Sequence, residues 1–176
     1  KKDGKLLIKA SGTKMSDVKK KNIFVQVDLN KILFAMNKND SDPIKNSYEF
    51  NKEIRPSIET TMHAIMPHRY VLHVHCVNTL SWIVQKDYQK KIEFRLKDIN
   101  WISIPYKKPG IVLSNALKDP IKKVNPDVIL LSNHGIIAGA ETARKVLEII
   151  KMVSRRLYLG KETKYLFDFQ KIKSFL

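Results

Sequence analysis

Three histidines and one glutamate in this chain have the types and spacing of a metal centre. In Tyr70-Val71-Leu72-His73-Val74-His75-Cys76, an extended backbone puts alternate side chains on one face. His73 and His75 then point the same way, and Leu72 and Val74 point into the opposite layer. The apolar run Val128 to Leu131 ends in Ser132-Asn133-His134-Gly135, which delivers a third imidazole to the end of a sheet. Three His with one open position form the ligand set of a catalytic rather than a structural Zn²⁺ site. Glu59, on a helix just before the ligand strand, is the fourth candidate. Its carboxylate either completes the coordination shell or leaves it to act as a base once substrate enters.

Other groups suit supporting roles. His63, one helical turn after Glu59, either joins the cluster or orients Glu59. His68, in the Pro67-His68-Arg69 turn, reads as structural, and Cys76, facing away from the imidazoles, as a small buried hydrophobe. Ser11, Gly12 and Ser57 are small enough to present hydroxyl and backbone N–H groups to a phosphate, with Ser57 at a helix N-terminus.

The elements that must position these groups follow from periodicity and turn residues. Lys1 to Gly4 reads as a hairpin turn, and Lys5 to Ala10 as a strand whose partner is expected before it. Ser16 and Asp17 suit the cap of a short helical turn. Ile23, Val25 and Val27 alternate with polar or outward residues, and Ile32 to Met36 follows as a second apolar run, the pattern of a hairpin. Asn37 to Glu53 is a polar loop. Pro56-Ser57 opens a helix that Pro67 stops. After the histidine strand come a short helix capped by Asn78 or Thr79, an amphipathic helix over Asp87 to Lys97, a strand over Ile99 to Ile104 and a rigid turn at Pro105 to Gly110. A short helix near Leu113 to Lys118 and a loop containing Pro120 and Pro126 lead to the Val128 strand, and Ile136 to Ala138 returns beside it. Glu141 to Leu159 is the clearest helix: Ala143, Val146, Leu147, Ile150, Val153 and Leu157 form its stripe, with Gly160 at the C-cap. Tail aromatics Tyr165, Phe167 and Phe169 are expected to dock on a neighbouring surface. Short strands mixed irregularly with helices indicate an α/β or α+β layered domain with a largely antiparallel sheet.

Composition bounds the function. A chain of 176 residues suits one domain that buries roughly 70 % of its unfolded surface without disulfides. The single Cys and the absence of a signal-like apolar start favour a reducing, cytoplasmic setting. No apolar run approaches the roughly 20 residues of a membrane helix, so no membrane partner is expected. With 33 Lys and Arg against 17 Asp and Glu, the net charge is +16. The excess is nearly all Lys and spread along the chain, without the Arg clusters that read bases, so an anionic small substrate is expected rather than nucleic acid.

In chain order, Arg55-Pro56-Ser57-Ile58-Glu59-Thr60, His63, His73-Val74-His75, Pro105-Tyr106, Pro109-Gly110, Asn133-His134-Gly135, Gly139 and Glu141-Thr142 resemble the class II aldolase/adducin family. Lys9 to Thr13 resembles its first phosphate-binding turn. The resemblance spans nearly the whole chain. It implies one three-layer α/β/α domain over residues 1–176 with a central, mainly antiparallel sheet, assembled as a homotetramer with sites near subunit interfaces. It implies a divalent metal, typically Zn²⁺, on His73, His75 and His134, Glu59 as acid/base, and phosphate contacts from Ser11, Gly12 and Ser57. The activity implied is that of a fuculose-phosphate aldolase-like lyase, breaking a carbon–carbon bond of a small sugar or sugar phosphate through a metal-stabilised enediolate. A 4-epimerase or dehydratase would use the same site, and Val77 to Ser81 has some likeness to the methylthioribulose-phosphate dehydratase branch. A non-catalytic adducin-like interaction domain would lack the complete ligand set. Three departures stand out. Ile58 occupies the place where the sugar-phosphate aldolases tend to have a second Ser, and the family's upstream helix and Gly-Asn-x-Ser turn would precede residue 1. The proton-donor tyrosine has only Tyr106, Tyr158 and Tyr165 as candidates.

Overall fold

A computed structural model describes residues 1–48 and 54–160. β5 (Val128–Leu131) lies at the heart of the fold, with all four of its residues buried. A strand apolar at every position must be covered on both faces, and each such side chain contributes roughly 1.5–3 kcal/mol on burial. β5 pairs antiparallel with β6 (Gly135–Ala140) and parallel with β4 (Trp101–Ile104), while β3 (Tyr70–Val74) pairs antiparallel with the far side of β6. The order β3-β6-β5-β4 makes a mixed, mainly antiparallel sheet.

The pleat sorts the side chains into two cores. Leu72, Val74, Val128, Leu130, Ile136 and Ala138 face a layer formed by α3 (Val77–Ile83), α4 (Tyr88–Ile92) and α6 (Ala143–Arg156). Val71, Ile129, Leu131 and Ile137 face the other way, onto α2 (Thr60–Ile65) and α5 (Ile111–Val124). The result is the expected α/β/α sandwich. By the period of two, His73 belongs to the α2 side. A second sheet pairs β1 (Lys5–Lys9) antiparallel with β2 (Phe24–Asp28), over a third core that includes Ile32 and Met36 of α1 (Leu29–Asn37).

Several elements differ from the sequence expectation. β1 finds its partner after it, in β2, and the Asp3-Gly4 turn makes only a single bridge, Lys2 to Lys5. Ile32 to Met36 is helical. Asp28 accepts a hydrogen bond from the Lys31 amide at 2.9 Å and caps the helix, and Ile32 and Met36 share one buried face at a spacing of four. A continuous apolar run carries no period to decide between strand and helix, so the cap decides it. The helix expected from Pro56 starts at Thr60, because Pro56 bridges to Ala10 and keeps the chain extended.

α3 starts at Val77 behind Cys76, and the Asn78 amide donates instead to Ser154 of α6. Asp87 to Lys97 divides into α4 and a 3₁₀ turn over Glu93–Leu96. α5 runs through Pro120, well past the loop expected there. α6 begins behind Thr142, whose hydroxyl accepts from the Lys145 amide at 3.1 Å, and ends at Arg156 rather than Leu159. Its buried stripe is Val146, Ile149 and Val153, continued by Leu157 just past its end, leaving Ala143 and Leu147 exposed. The tail aromatics lie outside the described residues. Among the described residues no helix is long and apolar enough to cross a membrane.

Candidate metal centre

β3 and the β5–β6 corner bring the three imidazoles together. β3 ends at Val74, so His75 sits one residue beyond the strand, yet its Nε2 lies 3.1 Å from Nε2 of His73. Asn133 adopts a left-handed conformation (φ 54°) that turns the chain sharply from β5 into β6, and His134 follows it. Glu59 occupies the cap position of α2, and its Oε1 stands 3.3 Å from Nε2 of both His73 and His134. The donor atoms of Glu59, His73, His75 and His134 all fall within 4.8 Å of one another.

His73 Nδ1 donates to the Ile136 carbonyl at 3.1 Å. A carbonyl only accepts, so the proton is on Nδ1 and the Nε2 lone pair is turned to the centre. Lone pairs crowded this closely repel unless a cation, a proton or a metal ion, lies among them. Two nitrogens bound tetrahedrally to Zn²⁺ at about 2.0–2.1 Å stand roughly 3.4 Å apart, close to the spacings seen. Three imidazoles and a carboxylate therefore fit a divalent cation.

Electrostatics favour the ligand forms. Burial opposes ionisation of Glu59, but in the acid range, where the imidazoles are protonated, the hydrogen bond from His73 and the charges of His73, His134 and His63 outweigh it and hold the carboxyl at about 2, so it is ionised at neutral pH. Burial pushes His134 below the ordinary imidazole range, keeping it neutral at neutral pH. His63, also through burial, is lowered to about 4 and is an uncharged neighbour of Glu59 one turn along α2.

Beside the cluster a cleft of about 380 Å³ opens between β1 and β3, with Ser57, Glu59, His63 and His73 among its walls and Lys9 and Arg69 as cations on it. Ser57 accepts from the Glu59 amide at 3.3 Å through its hydroxyl, so it shapes the turn that aims Glu59. Ser11 and Gly12 are not part of the cleft wall. Their turn lies alongside, held by the Ser11 amide donating to the Arg55 carbonyl at 2.9 Å and by Lys9 Nζ donating to Ala10 and Thr13 carbonyls. His68 pairs with Asp127 at 3.2 Å, away from the cluster. Cys76 packs against the α3/α6 core, and Tyr106 and Tyr158 are exposed outside the cleft.

A sequence model of the family described as "Class II Aldolase and Adducin N-terminal domain" matches residues 1–159. The chain belongs to this family. The curated relative YuxG of Bacillus subtilis (strain 168), described as an uncharacterized oxidoreductase, is 32 % identical over 107 residues; the match covers 57 % of this chain, and the chain spans only 15 % of YuxG. Among solved structures, the N-terminal class II aldolase domain of a conserved Thermoplasma acidophilum protein superposes with a TM-score of 0.70 at 25 % identity, covering 85 % of this chain and 71 % of that one. An L-fuculose 1-phosphate aldolase superposes with a TM-score of 0.60 at 18 % identity, over 88 % and 68 % of the two chains, a likeness of fold alone.

Within this class II aldolase fold, the sequence marks neither the carbonyl that orients His73 nor the reason for Gly135 in the Asn133-His134-Gly135 motif. The Ile136 carbonyl that sets the His73 tautomer is a backbone atom, which any residue supplies. Gly135 is required for space: a Cβ there would lie 2.7 Å from the Val74 carbonyl, 3.0 Å from the His75 ring and 3.2 Å from the His73 ring. Gly135→Ala is expected to push the two rings apart and weaken metal binding by about 10–100-fold, the range seen when support around a ligand is lost. Isothermal titration of the metal-free protein with Zn²⁺ measures this.

Proposed function

We propose that the chain is a metal-dependent carbon–carbon lyase acting on a small sugar or sugar phosphate, with His73, His75 and His134 holding Zn²⁺ and Glu59 as the acid/base. The observation that carries this reading is the placement of the Glu59 carboxylate. It stands 3.3 Å from two of the convergent imidazoles and also lines an open cleft, where substrate can reach it. A divalent cation held there would supply a Lewis acid that offsets negative charge developing on a substrate oxygen.

In the cleavage direction the hydroxyl oxygen on the carbon beyond the bond to be broken gives up its proton, and as the carbon–carbon bond breaks that carbon becomes an aldehyde. The electron pair of the broken bond passes into the adjacent hydroxyketone as an enediolate, which takes a proton back. Glu59, ionised at neutral pH, accepts and returns that proton. Ser57, Lys9 and Arg69 on the cleft wall would receive an anionic end of the substrate, and the Gly12 amide and Ser11 hydroxyl of the turn beside them would add donors, the Ser11 amide being held by Arg55. The net charge of +16 favours an anionic substrate throughout. A homotetramer is the assembly this reading includes, and light scattering measures it.

The direct test is a screen of Zn²⁺-loaded protein against phosphorylated and unphosphorylated ketoses, with products identified by NMR. Chelator-sensitive release of an aldehyde and a three-carbon ketone supports the lyase. Epimerised or dehydrated products from the same protein would replace it with an epimerase or dehydratase on the same residues, and no turnover of any ketose would contradict it.

A further inference from the structure

The three imidazoles are not held alike. His73 is oriented by its own ring, through Nδ1–H to the Ile136 carbonyl. His134 Nδ1 is buried and has no hydrogen-bond partner among the described residues. Metal-ligating histidines ordinarily donate the second ring N–H to a partner that fixes the ring. Glu59 reaches only the Nε2 edge of the His134 ring, so the support that Nδ1 lacks falls to the backbone that carries the ring, the Ser132-Asn133-His134 corner.

That corner is pinned from three sides. The Ser132 amide donates to the Ile104 carbonyl at 3.0 Å, the Asn133 amide to the Ile83 carbonyl at 3.4 Å, and the His134 amide to the Leu131 carbonyl at 3.0 Å. One side-chain bond joins them: the Tyr88 hydroxyl meets the Ser132 hydroxyl at 3.1 Å. Tyr88 starts α4 after the left-handed Asp87 and is only 2 % exposed. A phenol buried this deeply needs a partner for its hydroxyl, and Ser132 is the one present.

We propose that Tyr88 is a positioning residue for the metal centre, acting through Ser132 to hold the corner that aims His134. It touches no ligand atom and takes no part in proton transfer. The inference rests on the reading of His134 as a metal ligand.

The test titrates metal-free protein with Co²⁺, competed against a chromophoric chelator, following affinity and the visible absorption of bound Co²⁺. Tyr88→Phe is expected to bind Co²⁺ about tenfold more weakly, with an altered visible band. Ser132→Ala is expected to do the same, and Ser132→Thr, which keeps the hydroxyl, to restore affinity. Should Tyr88→Phe fail to fold, the Ser132 pair carries the test. Tyr88 would be merely structural if Tyr88→Phe and Ser132→Ala lowered the melting temperature of the metal-free protein but bound Co²⁺ as wild type does; that result overturns the inference. His134→Ala separates the two layers. Weakened Co²⁺ binding in His134→Ala beside wild-type binding in both corner variants defeats only the positioning role, whereas unchanged binding in His134→Ala defeats the ligand reading and the inference together.

Discussion

Replacing Glu59 with Gln is expected to lower turnover by about 10²–10⁴-fold, the usual worth of a positioned general acid–base, while metal stays bound. The amide matches the carboxylate in size and keeps an oxygen toward the imidazoles, but it has no basic site to take a proton. The negative charge that Glu59 carries at neutral pH is lost with it. The metal remains because His73, His75 and His134 still converge. Steady-state kinetics with metal content measured on the same sample reads both halves. Turnover within a few-fold of wild type would remove Glu59 from the proton transfer, and loss of metal would make it a ligand first.

His73→Ala is the second large effect, and it acts on two levels. It removes one of the three imidazoles, so metal affinity should fall well beyond the about 10–100-fold that follows loss of a mere supporting group, and turnover should fall to background. It also leaves the Ile136 carbonyl without the His73 N–H, which should destabilise the metal-free protein by about 1–3 kcal/mol. Because metal bound only to the folded state adds stability by mass action, adding Zn²⁺ should raise the melting temperature of wild type but not of His73→Ala. Chemical denaturation of the metal-free proteins checks the first, and thermal unfolding with and without Zn²⁺ the second. An equal Zn²⁺-induced shift in the two proteins would exclude His73 as a ligand.

The convergence of His73, His75, His134 and Glu59 is easier to read from the sequence than the scaffold. His73 and His75 are legible as neighbours because extended backbone has a period of two, although β3 itself stops at Val74, and His134 stands out as an imidazole at the end of an all-apolar strand. The two cores of the central sandwich followed from the same alternation in β3, β5 and β6. Legibility failed where the local signal was ambiguous or distant. The apolar run of α1 has no period, and its fate turns on the Asp28 cap. β1 pairs with β2 across a 3₁₀ turn over Met15–Lys19, and strand partners are set by the sheet rather than by the strand's own residues. At the cluster, the reach of Glu59 depends on Pro56 staying extended beside Ala10, which delays the start of α2 and leaves Glu59 at the cap. The Ile136 carbonyl, the space at Gly135 and the bond from Tyr88 to Ser132 are tertiary contacts between segments far apart in the chain.

The most direct test of the centre itself is elemental analysis of protein purified without chelator, wild type beside His75→Ala. About one divalent metal ion per chain in wild type, lost from His75→Ala, is the predicted result. Wild-type protein free of metal and unable to take up Zn²⁺, or a His75→Ala protein that keeps its full complement, would contradict it.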